Sequence, residues 1–262
     1  MTWDPSQYER FRAERSQPFF DLVALVAPAP RMRAVDLGSG TGELTRELHR
    51  RLGCASTKGY ELSRAMLDAS AKFAEAGLSF EQADIGALDL PAKSVDLVFA
   101  NASLHWLPDH RALFRRLTGW LADGGQLAVQ VPTNFDHPSH TVAAEVAREE
   151  PFASALRGYV HSTNVLDPPA YARLLHSLGY ERQHVRLVVY THLLPSPDAV
   201  VEWVKGTLLT GYRERLEAAT YEQFVDAYRA KLLLALSKES PFFFTFERVL
   251  MWGLKTRSAV DS

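Results

Sequence analysis

The chain has 262 residues, 29 basic against 31 acidic for a formal charge of -2, and 47% hydrophobic content. That length suits one domain, or one domain with a lid, around a sizeable core, and a balanced charge without a basic stripe argues against nucleic acid as a partner. The single cysteine, Cys54, excludes an intrachain disulfide or a cysteine-built metal site, no apolar run reaches the ~18 residues of a membrane span, and the N-terminus lacks the basic-then-apolar layout of a secretory signal, so a cytoplasmic monomer is expected.

Residues 7–26 place Tyr8, Phe11, Phe19, Leu22, Val23 and Val26 at helical steps, and Pro28 and Pro30 end that helix. An apolar run over 32–37 leads into Gly38-Ser39-Gly40-Thr41-Gly42, followed by a helix over 42–52. Strand, glycine turn and helix open many nucleotide-binding α/β sheets, because glycine lets the backbone turn sharply and approach a ligand. Such turns also simply join strands to helices.

Further strands are expected over 56–60, 78–82, 95–100 and 126–131, with helices over 63–76 and 109–121 and a turn at Asp123-Gly124-Gly125. Strands alternating with helices predict a mostly parallel sheet with helices on both faces. Right-handed crossovers then bring Gly38, Glu61, Asp84 and Asn101 to one edge. Beyond Val131 the spacing predicts helices over 138–150, 168–177, 197–205 and 220–236, and strands over 182–192 and 242–254. The expected division is 1–132, a cofactor-binding core with an N-terminal helix, and 133–262, the remaining core strands plus a helical substrate lid. Tyr159, Trp203 and Tyr212 weigh more heavily as lid core than as substrate wall.

The residues around the loop narrow the ligand. A phosphate-cradling loop needs a Lys-Ser/Thr pair after its last glycine, and here Glu43-Leu44 follow Gly42. Glu43 also opposes a pyrophosphate at the helix N-terminus, although it suits the positive helix end. S-adenosylmethionine fits better. Asp36, at the strand end beside the glycines, can hold the ammonium directly or through water, and Gly38, Ser39, Gly40 and Asn101 join it as candidate cofactor-binding residues. Glu61 can accept from both ribose hydroxyls, and Asp84 from the adenine amino group between Leu62 and Ile85. Singly, each acid would serve equally as a solvated turn residue; the order of all of them is what distinguishes the cofactor reading.

These motifs resemble the class I S-adenosylmethionine-dependent methyltransferases, through VDLGSGTGELT, GYELS, QADI, DLVFANASLHW and GGQLAVQVP. Within that class the chain most resembles trans-aconitate methyltransferases, through YERFRAERSQPFFDL, FANASLHWLPDH, AVQVPTNFDHPSH and LPSPDAVVEWVKGT. The resemblance implies a Rossmann-like seven-stranded sheet with its last strand antiparallel, no metal, and methyl esterification of a small acid. Alternatives are methylation of a hydroxyl, amine or carbon on a more apolar natural product, and cofactor binding without turnover.

Asn101, Ser103, His105 and Trp106, after the fourth strand, are expected to face the methyl group. For a carboxylate acceptor His105 only lines or hydrogen-bonds, whereas a phenol or hydroxyl would need it as a base. Arg15 is a candidate carboxylate clamp, or equally a surface helix cation. The chain departs from the family pattern at Thr210-Gly211, where an arginine-proline pair is usual, and at Gln17, where arginine is common. Two lost cations favour an acid of fewer charges unless Arg157, Arg173, Arg213 or Arg248 compensates.

Overall fold

Continuous apolar runs make strands that can be covered on both faces. In the computed structural model, which describes residues 12–256 and side chains from Ser16 onward, those runs form the middle of a seven-stranded sheet. The strands are β1 (Arg33–Leu37), β2 (Ser56–Glu61), β3 (Leu78–Gln82), β4 (Val95–Asn101), β5 (Leu121–Pro132), β6 (Tyr180–Leu194) and β7 (Phe242–Lys255). Their order is β3-β2-β1-β4-β5-β7-β6. Strands β1 to β5 pair in parallel, and β7 runs antiparallel to β5 with Gln126 opposite Leu254 and Pro132 opposite Arg248. The Rossmann-like sheet is therefore as expected. Its order reverses between β1 and β4, which opens a crevice at their carboxyl ends.

The helices are α1 (Arg12–Val23), α2 (Glu43–Leu52), α3 (Arg64–Ser70), α4 (His110–Trp120), α5 (Pro138–Val146), α6 (Phe152–Ala155), α7 (Pro168–Ser177), α8 (Ala199–Lys205), α9 (Thr210–Arg213) and α10 (Ala218–Ala235). Tyr8 and Phe11, expected in the first helix, lie outside the described residues. The helix expected over 63–76 stops earlier: α3 gives way to a tight turn at Ala71–Phe73, Ala74 is extended, and Glu75 bridges back to Leu78. The turn expected at 123–125 lies inside β5. Val95 pairs with Leu121 and Leu97 with Gln126, so the intervening residues bulge out of the ladder.

The chain forms two compact units. Among the described residues the sheet unit comprises Arg15–Pro132, Asn164–Val188 and 248–256; Thr133–Thr163 and Val189–Glu247 belong to a helical unit. The chain crosses between them after Pro132, between Thr163 and Asn164, and again within β6 and β7.

In the sheet unit, Leu113, Phe114 and Leu117 of α4 and Tyr171 and Leu174 of α7 pack with Val98, Ala100 and Val129. Phe99 alternates to the other face, where it meets the Phe19 ring of α1 edge-on at 5.2 Å. On β5 the buried Gln126 side chain accepts from Ala27 N and Trp252 Nε1, both at 2.9 Å, and donates to Ala27 O at 2.7 Å. The helical unit has its own core of Trp203, Tyr212, Phe224, Tyr228 and Phe244, with the Tyr212 and Phe224 rings stacked at 4.7 Å. Trp203 and Tyr212 are thus core residues. Tyr159 is half-buried, and its hydroxyl lies 2.7 Å from where a Cβ on Gly211 would stand.

Gln126→Met would leave the Ala27 backbone N–H and C=O and the Trp252 Nε1 donor without this partner, on two segments. It is expected to lower the unfolding free energy by about 2–4 kcal/mol, read by urea denaturation. A change below about 0.5 kcal/mol would show that water replaces those bonds.

Candidate active site

The site begins with a carboxylate inside the sheet. Asp36 of β1 lies between Gly59 of β2 and Phe99 of β4 and is only 4% exposed. Thr45 Oγ1, from the first turns of α2, donates to Asp36 Oδ2 at 2.6 Å. Burial pushes the Asp36 pKa up to about 7; the Thr45 bond opposes that rise and the nearby Glu61 charge adds to it.

After Asp36 the loop is tied to its neighbours. Gly38 N and Ser39 N donate to Tyr60 O at 2.8 and 3.0 Å, and Ser103 Oγ donates to Leu37 O at 2.5 Å. Gly38 has φ +80°, and a Cβ there would stand 2.4 Å from Ser103 Cβ. Glycine is required on both counts.

Glu61 ends β2 and accepts from two backbone donors, Gly40 N at 2.9 Å and Ser63 N at 2.8 Å. A carboxylate has about four acceptor positions, so these bonds fix its orientation and leave capacity for two hydroxyls. Ala83 N donates to Glu61 O at 3.0 Å, which links the following loop to β2. There Asp84 Oδ1 accepts from Gly86 N at 2.8 Å, and Arg116 of α4 donates to Ile85 O and Gly86 O at 2.6 and 2.7 Å. Leu62 is 53% exposed and Ile85 half-buried, an apolar pair beside the exposed Asp84.

Asn101 ends β4, in register with Gln130 of β5. His105 and Trp106 follow on a single turn, Leu104–Trp106, both half-buried, with their rings 4.5 Å apart. Arg15 lies in α1, but its side chain falls outside the described residues.

Ser39 Oγ and Asn101 Oδ1 are buried and have no hydrogen-bond partner among the described residues. Buried polar atoms are paired as a rule, and such exceptions at a strand end can take bonds from a polar ligand. A Cβ on Gly40 would meet nothing within 4 Å, so the loop is open at its tip. An open loop, unmatched buried atoms, three acids and an apolar pair together fit the cationic end, ribose and adenine of S-adenosylmethionine. Among the described residues no group of three or more His, Cys, Asp or Glu could hold a metal ion.

Residues 35–129 match the model of a methyltransferase domain. Over 256 residues the chain is 42% identical to trans-aconitate 2-methyltransferase of Deinococcus radiodurans, covering 95% of this chain and 97% of that protein. The chain belongs to the trans-aconitate 2-methyltransferase family. The Methylobacterium nodulans enzyme of the same description is 38% identical over 258 residues, covering 97% and 99% of the two chains. Among solved structures, the YcgJ protein of Bacillus subtilis shares the fold, with a TM-score of 0.61 at 14% identity and coverage of 92% and 99%. The chain is an S-adenosylmethionine-dependent methyltransferase.

Two side chains that shape this methyltransferase's site escape a reading of its sequence. Thr45 carries a weak signal, a polar residue on the buried face of α2 that also holds Leu48 and Leu52. Arg116 carries none, since its partners are backbone carbonyls 31 and 30 residues away.

The Asp36 shift has a definite sign. A carboxyl raised from the usual ~4 to about 7 binds a proton in the folded state that the unfolded chain has lost, so stability falls as pH rises through that window. The cofactor-free methyltransferase is expected to melt lower at pH 8 than at pH 6, and Asp36→Asn to remove most of that difference. Calorimetry with S-adenosylhomocysteine is expected to show affinity rising with pH up to about 7 in the wild type only, because its ammonium favours ionised Asp36. Equal pH dependence in both proteins would overturn the assignment.

Proposed function

We propose that this methyltransferase esterifies a carboxylate of a small organic acid of the trans-aconitate kind. The observation that carries the reading is 42% identity over 95% of the chain to a protein described as trans-aconitate 2-methyltransferase. When bound, S-adenosylmethionine supplies an electrophilic methyl group on sulfur.

In this reading Glu61 holds the ribose hydroxyls from an orientation set by Gly40 N and Ser63 N. Asp84 accepts from the adenine amino group, with Leu62 and Ile85 on the ring. Asp36, Ser39 and Asn101, with the backbone of Gly38 and Gly40, receive the amino-acid end. His105 and Trp106 line the acceptor side, and Arg15 clamps an acceptor carboxylate.

A carboxylate with a reference pKa near ~4 is ionised at neutral pH and needs no general base. These residues therefore orient the acceptor oxygen for in-line attack and exclude water. His105 donates or lines without taking a proton.

Among the described residues no helix is long and apolar enough to cross a membrane. The lone, buried Cys54 suits a reducing compartment, and we place the enzyme in the cytoplasm.

Purified enzyme with methyl-labelled cofactor and a panel of acids, phenols and amines tests the reading. The expected product is a base-labile methyl ester on an acid. Label on phenols or amines alone, or no turnover at all, would refute it. His105→Ala is expected to retain acid methylation within about tenfold, about 1.4 kcal/mol of barrier. A thousandfold loss with a pH-rate limb near neutrality would instead make His105 a base.

A further inference from the structure

Two buried polar side chains of the sheet unit, His110 and Tyr171, meet beside the turn that carries His105 and Trp106. His110 is 2% exposed and Tyr171 is fully buried. His110 opens α4, and Tyr171 lies in α7, whose first turn is capped by Asp167 Oδ1 accepting from Ala170 N at 2.5 Å. His110 and Phe114 stand one helical turn apart, and the Tyr171 ring packs on both, with centroids 5.8 and 5.4 Å away.

The bonds of this pair fix where its protons sit. His110 Nε2 lies 3.1 Å from Leu104 O, and a carbonyl only accepts, so Nε2 carries the proton. Nδ1 is then an acceptor, and the Tyr171 hydroxyl donates to it. The Leu166 backbone bonds the Tyr171 hydroxyl in turn. Burial lowers the His110 pKa and raises that of Tyr171, so both are uncharged at neutral pH. A directional chain of bonds thus runs from the segment before α7, through two side chains, to the backbone of Leu104.

Leu104 begins the turn Leu104–Trp106, and its carbonyl also accepts from Leu107 N at 3.0 Å. Strained backbone brackets this turn. Ala102 and Asp109 hold positive φ, 54° and 46°, without being glycine. Such conformations persist where surrounding bonds over-determine them, and they gather where geometry matters to function. Here those bonds are Ala102 N to Gln130 O and Ala112 N to Asp109 Oδ1, both at 3.0 Å, with the His110 bond to Leu104 O between them.

We propose that His110 and Tyr171 are positioning residues for methyl transfer, holding the turn that presents His105 and Trp106 to the acceptor. Their chain ends on a backbone oxygen, so it sets where those two rings stand without dictating which rings they are. The inference rests on the reading that His105 and Trp106 line the acceptor side.

The test uses trans-aconitate as acceptor, with thermal melting to confirm folding. Trp106→Ala is expected to lower kcat/KM by about tenfold or more. Tyr171→Phe keeps the ring on Phe114 and removes only the donor. It is expected to lower kcat/KM about fivefold, with the Kd for S-adenosylhomocysteine unchanged within about twofold. Added to Trp106→Ala it is expected to cost no more than about twofold further, because both act through one turn. His110→Leu is expected to lose at least as much as Tyr171→Phe, whereas His110→Gln, which keeps a donor for Leu104 O, stays closer to wild type. Nitrogen NMR needs no turnover. It is expected to show His110 as the Nε2–H tautomer with Nδ1 accepting, and the Trp106 indole N–H signal is expected to move in Tyr171→Phe.

An Nδ1–H tautomer, an unmoved Trp106 signal, or full additivity with Trp106→Ala overturns the inference. Variants at 110 and 171 that only melt lower, or that lose cofactor affinity in parallel with activity, make the pair merely structural. Loss at Trp106→Ala without loss at 110 or 171 overturns the inference alone. If Trp106→Ala and His105→Ala both leave kcat/KM unchanged, the reading of the acceptor side falls and takes the inference with it.

Discussion

A carboxylate held in the dry centre of a sheet is the constraint on which this edge of the molecule depends. Asp36 is enclosed by β2 and β4, and the Thr45 hydroxyl compensates only part of its lost hydration. A buried acid without full compensation is a stability defect in the cofactor-free protein. In the proposed function the same defect becomes useful when a cationic ligand arrives, because the ionised form then regains a partner. The glycine loop follows from that need. It brings the backbone close to Asp36 and Glu61, with Gly38 pressed against Ser103 and Gly40 left open.

The fold was largely legible because its signals are local. Continuous apolar runs mark β1 and β4, Ser63 caps α3 by accepting from Met66 N, and the acids stand at strand ends whose order fixes their gathering. The missed features depend on distant partners. The bulge at 123–125 exists because Val95 and Leu97 select Leu121 and Gln126. Gln126 reaches Ala27 and Trp252 across 99 and 126 residues, and Arg248 reaches Gln130 across 118. No periodicity in the sequence encodes such pairs. For the same reason four arginines look alike on paper, while burial separates one from the rest.

The departure from the family pattern at Thr210-Gly211 has a local explanation within the helical unit. Gly211 leaves space that the Tyr159 hydroxyl takes, and a larger residue would displace that ring. Arg215 donates to Gly211 O at 2.7 Å and lies 3.9 Å over the Tyr159 ring. The segment therefore carries an aromatic–guanidinium stack. Its charge is exposed, which separates it in character from the buried Arg248.

The contact between Gly38 and Ser103 limits how such an enzyme can diverge. Because no side chain fits at 38 and Ser103 also bonds Leu37 O, position 103 is held to a small hydroxylated residue by the glycine loop. His105 and Trp106, one short turn further, carry no such obligation to that loop. His105 and Trp106, which we propose line the acceptor side, can therefore vary without disturbing that contact, while Gly38 stays fixed and holds Ser103 with it.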